Sequence, residues 1–169
     1  MLVKNIVPAV VFGVIALAIV ALWVLGNNPD ESRVHKLVCV NNVKQQVIGL
    51  VIYSADNDDA FPRADNWFDV TLNSLQKVRG SPKAAMEDSE FHHHGVLPDR
   101  DFGYAFLDKA SGIKGENIPT DSQFVLIFDS TLLGRNAHSG LDTLPHPGRH
   151  LGFNAEAFAD GHAKAIEMR

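Results

Sequence analysis

Eight histidines punctuate this chain of 169 residues, and three of them, His92, His93 and His94, stand side by side. Imidazole is a common ligand of zinc, copper and nickel, and short histidine tracts can bind these ions. In an extended segment alternate side chains share a face, so His92 and His94 can address one ion. A third ligand must come from elsewhere, and His138 and Asp99 are the candidates. No zinc-finger spacing and no H-E-x-x-H pair accompanies the tract. The expectation is therefore a solvated loop, with a periplasmic His-rich metal-binding or sensing module, zinc being its metal, as the alternative.

Two further groups could do chemistry. His150 can donate to the Asp160 carboxylate and so fix the loop that enters the last hairpin. A catalytic dyad would also need a nucleophile, and no G-x-S-x-G elbow or other activated nucleophile is present. The pair is read as structural, and no enzymatic activity is expected. Asp56-Asn57-Asp58-Asp59 offers oxygen ligands at alternate positions, as calcium loops do. However, Phe61 and Trp67 stand where the loop pattern requires Gly and Glu, so the segment reads as the turn that ends a helix. Cys39 is the single cysteine, read as a small buried hydrophobe, with an intermolecular bridge as the other possibility.

The elements that must carry these residues are legible from composition and period. Residues 6–25 run without a charge (IVPAVVFGVIALAIVALWVL). At about 1.5 Å per residue they match the ~30 Å hydrocarbon layer, and the run is longer than the 7–15 residues usual in a signal peptide. A transmembrane helix is expected here. Lys4 and the terminal amine precede it, while Asp30 and Glu31 follow, so residues 1–5 are placed in the cytoplasm and residues 26–169 outside it. The protein is thus expected to be single-pass in a bacterial inner (cytoplasmic) membrane, with a periplasmic C-terminal domain. Its net charge of -5 and lack of a basic stripe speak against nucleic acid as a partner.

Asn28 suits an N-cap, Pro29 the first helical position, and Asp30 and Glu31 the positive end of the dipole. A helix over 29–54 follows, with Val34, Leu37, Val38, Val43, Val47, Ile48, Val51 and Ile52 as its expected buried stripe. Asn42, Lys44 and Gln45 are assigned to the opposite face. Residues 55–122 form a loop region that holds a short amphipathic helix over 66–78. Phe124–Phe128 is a compact apolar run fit for a central strand. Phe153–Ala159 and His162–Met168 flank Asp160-Gly161, the signal of a two-residue type I′ hairpin. That turn places Phe153, Ala155 and Ala157 on one face with Ile166 and Met168. The sum is an α+β domain in which a helix packs on a small antiparallel sheet over 123–168.

The segment from Cys39 through Asn42, Lys44, Gln45 and Tyr53 to Asp56-Asn57-Asp58 and Pro62 resembles the helix and exit of bacterial pseudopilin-like proteins. At the far end, His150 is followed by nine residues and then Asp160-Gly161, an H-X9-DG pattern similar to that of the prepilin-type processing-associated family. Phe128-Asp129-Ser130 resembles the strand-end Asp that precedes it. The resemblance implies a type IV pilin-like fold, with an N-terminal transmembrane helix and a spine helix packed on a small antiparallel β-sheet. It implies a structural motif at His150, Asp160, Gly161 and Asp129. It also implies a non-catalytic role in or beside type II secretion and type IV filament systems. Partners would be the membrane and other pilin-like or secretion-system proteins, with homo-oligomers included. No cofactor is expected, although calcium enters as an alternative because some type II pseudopilins carry it. The G-F-T-L-I-E type opening of the family is missing, since Gly13 is followed by Val14 and Ile15. Prepilin peptidase processing is therefore not expected, and the reading is a pilin-like domain on a fixed anchor.

Overall fold

Helix α1 spans Pro29–Asp56 in the computed structural model, which describes residues 15–22, 29–80 and 102–168. The chain divides into two units, Met1–Ser32 and Arg33–Arg169. In the first unit residues 15–22 are helical, and Ile15, Leu17, Ile19, Val20 and Leu22 are all exposed. The remainder of the expected membrane helix over 6–25 lies outside the described residues. Among the described residues no helix is long and apolar enough to cross a membrane.

The second unit is built around the inner face of α1. That face carries Cys39, Asn42, Val43, Gln46, Val47, Leu50 and Ser54, all buried and spaced by three or four residues. The expected stripe is corrected on two counts. Val34 and Leu37 are 56% and 66% exposed, and Val51 is exposed as well, whereas Asn42 is buried. The true stripe includes the polar side chains Asn42, Gln46 and Ser54, so apolar periodicity alone places it wrongly by part of a turn. The helix stops at Asp56, and Asp58 and Asp59 take left-handed φ of 54° and 60°. The Asn57 and Asp59 amides donate to the Ser54 carbonyl, so this segment is the helix-ending turn expected of it.

Helix α2, Trp67–Arg79, answers the amphipathic segment at 66–78. Its first amides are not capped locally. The Phe68 and Asp69 N–H groups donate to Asn136 Oδ1, at 2.9 and 3.4 Å, from a distant loop. Gly80, at φ 66°, closes the helix by donating to the Gln76 carbonyl. Buried Trp67, Phe68, Leu72 and Leu75 share one core with α1 and the sheet. Burying each such side chain stabilises by about 1.5–3 kcal/mol. Trp67 stacks on Phe106 with ring centroids 5.9 Å apart and donates its indole N–H to the Ala137 carbonyl. Gly49 lets α1 pack tightly against α2, since a Cβ there would lie 2.7 Å from Thr71 Cγ2.

The sheet has five strands: β1 Tyr104–Leu107, β2 Val125–Asp129, β3 His138–Ser139, β4 Phe153–Phe158 and β5 Ala163–Glu167. Their order is β3-β1-β2-β4-β5. This corrects the expected antiparallel sheet over 123–168. β1 lies inside the stretch read as loop, and it pairs with β3 in parallel, so the sheet is mixed. The fold is α+β.

The last hairpin forms where expected but with a different turn. Gly161 donates to the Phe158 carbonyl and Phe158 to the His162 carbonyl, with Gly161 at φ 83°. That is a three-residue loop over 159–161 with a left-handed glycine, one residue longer than the expected two-residue turn. The extra residue slips the register by one. Asn154 is opposite Ile166, and Ala155 is opposite Ala165, so Ile166 shares a face with Asn154 and not with Ala155.

Candidate functional site

Four segments bring polar side chains together behind α1. Tyr104 of β1 is the register partner of Asp129 at the end of β2. A bulge at Leu126 shifts the pairing of β2 with β4, after which Ile127 meets Ala157 and Phe128 meets Glu156. One step further, the Asp129 carboxylate accepts the Ala155 N–H at 2.7 Å, so a side chain continues the ladder. His150 precedes β4 and is anchored by two backbone bonds, its N–H to the Phe153 carbonyl and the Phe153 N–H to its own carbonyl. Its Nε2 lies 3.7 Å from Asp129 Oδ2, with both side chains essentially inaccessible to water. This distance exceeds a direct hydrogen bond between these two atoms.

The same pocket of polarity is closed from both sides. Cys39 of α1 is wholly buried, and burial pushes its thiol up to about 12, with the Asp129 charge adding to the effect and the neighbouring Tyr104 opposing it. Burial likewise raises the Tyr104 hydroxyl well above its usual range, reinforced by Cys39 and Asp129, while Asn42 works the other way. On the outer face Asn154 is fully buried. Its side chain accepts the Arg149 N–H at 2.9 Å and donates to the Pro145 carbonyl at 3.0 Å. The Arg149 guanidinium donates to the Ser130 carbonyl. Glu156, next along β4, has its carboxyl raised by burial, partly offset by Lys164 opposite it.

This arrangement brings His150 and Asp129 together and leaves Asp160 apart. The expected His150–Asp160 contact does not form. Six residues of β4, at about 3.3 Å each, separate the two ends of the strand by about 20 Å, and each residue sits beyond a different end. Asp160 instead pairs with its own neighbour, accepting the His162 N–H at 3.0 Å and facing His162 Nδ1 at 2.5 Å. These bonds hold its carboxyl below the usual range, the backbone bond being the larger cause. Gly161 supplies the left-handed position of the turn. Tyr104, Asn42, Arg149 and Asn154 were not anticipated. Apart from the place of Asn42 in the pseudopilin-like segment, their sequence signal is polarity inside otherwise apolar segments, which does not distinguish a buried from an exposed position.

The metal candidates fall differently. His92 and His94 lie outside the described residues. His138, 44% exposed at its side chain, faces Asp108 Oδ1 at 2.6 Å. Among the described residues no group of three or more His, Cys, Asp or Glu side chains is placed to hold a metal ion.

Chemically, the buried cluster favours cohesion. Nucleophilic attack requires a thiolate, and Cys39 is held as the thiol in a place solvent does not reach. What the cluster does accomplish is to tie α1, β1, β2 and the loop before β4 to one carboxylate, since removing a partner from a buried polar network strands the others. Comparison with protein-family models, with curated proteins and with solved structures finds no match to this chain.

Proposed function

We propose that this chain is a non-catalytic, membrane-anchored pilin-like protein, a structural or accessory component related to type II secretion or type IV filament systems. The observation that carries this reading is how the motif residues are used. His150 and Asp129 are buried against one another, and Gly161 makes the turn of the final hairpin, so these residues work on the fold itself. A long helix laid on a small sheet, with the H-X9-DG segment bracketing strand β4, is the arrangement the resemblance implies. The uncharged run over 6–25 supplies the anchor in this reading, with residues 26–169 outside the cytoplasm. The membrane and other pilin-like or secretion-system subunits, copies of itself among them, are its partners.

Fractionation of host cells tests this directly. The expected result is a chain that stays with the membrane through alkaline carbonate, is released by detergent, and is digested by protease once the outer envelope is opened. Recovery in the soluble cytoplasmic fraction would contradict the proposal.

A further inference from the structure

A groove of about 220 Å³ opens beside the end of α1. Val51, Phe61 and Ile118 give it apolar walls, and the buried Ser54 hydroxyl lies in it. Asp59 and Asp121 line it as well, and Gly115 backs the Asp59 carboxylate so closely that a Cβ there would meet Oδ2 at 2.5 Å. Elsewhere on the surface Asp56, Asp65 and Asp69 each pair with a basic side chain, Lys77, Arg63 and Arg135. Asp59 and Asp121 have no such partner among the described residues, Asp59 receiving only the Ser54 hydroxyl at 3.5 Å.

We propose that this groove docks a lysine or arginine side chain presented by a protein partner. The chemistry of the lining selects that occupant. A basic side chain lays its methylene stem on apolar surface and keeps its charged head among acceptors, which matches apolar walls bearing two carboxylates that no basic side chain pairs among the described residues. Calcium would demand six to eight oxygens, and Val51, Phe61 and Ile118 supply none from their side chains. An uncharged apolar side chain would leave both carboxylates partly desolvated with no countercharge. The proposal does not depend on the pilin-like reading, because any basic partner surface satisfies it.

The test uses the full chain in detergent, methyl NMR, and the peptide acetyl-Ala-Lys-Ala-amide as probe. Its norleucine counterpart, which keeps the stem and lacks the ammonium, is the control. Saturable shifts of the Val51 and Ile118 methyls in the millimolar range are expected with the lysine peptide alone. Asp59→Asn and Asp121→Asn should each weaken binding by about threefold to fivefold. Both sites are exposed, and Asn tolerates the left-handed backbone of residue 59, so unchanged melting temperatures are expected alongside. The proposal is overturned if the norleucine peptide shifts the same methyls equally, or if both variants bind the lysine peptide as the parent does. It is overturned too if only calcium chloride perturbs the groove.

Discussion

Replacing Gly49 by alanine sets two effects of known sign against each other. Alanine improves the intrinsic helix propensity of α1 by about 1 kcal/mol. Its Cβ, however, would stand 2.7 Å from Thr71 Cγ2, 2.9 Å from Leu75 Cγ and 3.1 Å from the Thr71 carbonyl oxygen. Carbon atoms in contact prefer about 3.5–4.0 Å, so the two helices must separate or repack by most of an ångström. Thr71 cannot rotate away freely, since its hydroxyl donates to the Trp67 carbonyl at 2.7 Å, and Leu75 is 1% exposed. Overpacking of this kind costs about 1–3 kcal/mol, so the net expectation is a loss of about 1 kcal/mol. At about 3 °C per kcal/mol for a unit of this size, the melting temperature should fall by about 3 °C in circular dichroism. Thr71→Ser removes Cγ2 and keeps the hydroxyl, so the double variant should recover part of the loss, with a coupling of about 0.5–1 kcal/mol. A rise in melting temperature for Gly49→Ala, or strict additivity with Thr71→Ser, would refute the helix contact.

Other perturbations follow from the same geometry. His150→Ala empties a buried site beside Asp129 and should destabilise by about 2–4 kcal/mol, whereas Asp160→Ala at the exposed turn should shift the melting temperature far less; equal effects would refute the assignment. The Cys39 thiol, pushed up to about 12 from its ordinary value of 9.0, binds its proton more tightly folded than unfolded. Its contribution is therefore complete below about pH 9 and lost as pH climbs toward 12, at up to about 1.4 kcal/mol per pH unit. Denaturation midpoints across that window check this, and alkylation at pH 8 should require unfolding. Asn136→Ala removes the acceptor of two α2 amides and should destabilise by about 1 kcal/mol or more, with Asn136→Gly milder because residue 136 sits at φ 55°. Zinc titration should give the same weak isotherm for the parent and for His92→Ala/His94→Ala; a tight site lost in the double variant would favour the metal-binding alternative.

Local chemistry made much of this fold readable. Asn28-Pro29 and the polar run after Ser54 bracket α1, and the amphipathic period from Asn66 finds α2. Phe124–Phe128 announces β2, and Asp160-Gly161 announces the hairpin. Tertiary context decided the rest. β1 is four residues and β3 only two, too short to carry a period, and both exist because they pair with each other, β1 also with β2. The glycine at 161 signals a turn but not whether the loop has two residues or three, and that single residue decides which side of β5 Ile166 occupies. In the buried cluster Asp129 was readable as a strand end. Its partner was not, because nine residues of separation says nothing of distance once six of them run straight as β4. The buried stripe of α1 was hidden for a related reason: Asn42, Gln46 and Ser54 are polar, and only the fold shows that they face inward.

In the proposed function the chain is an anchored pilin-like domain that keeps its apolar run over 6–25. Intact-mass and N-terminal analysis of the chain extracted from membranes of its native host tests it most directly. A chain that keeps this run and is recovered only with detergent is the expected result. A soluble form beginning after Gly26 would contradict the anchor, and a cut after Gly13 with a methylated new terminus would contradict the fixed, unprocessed state.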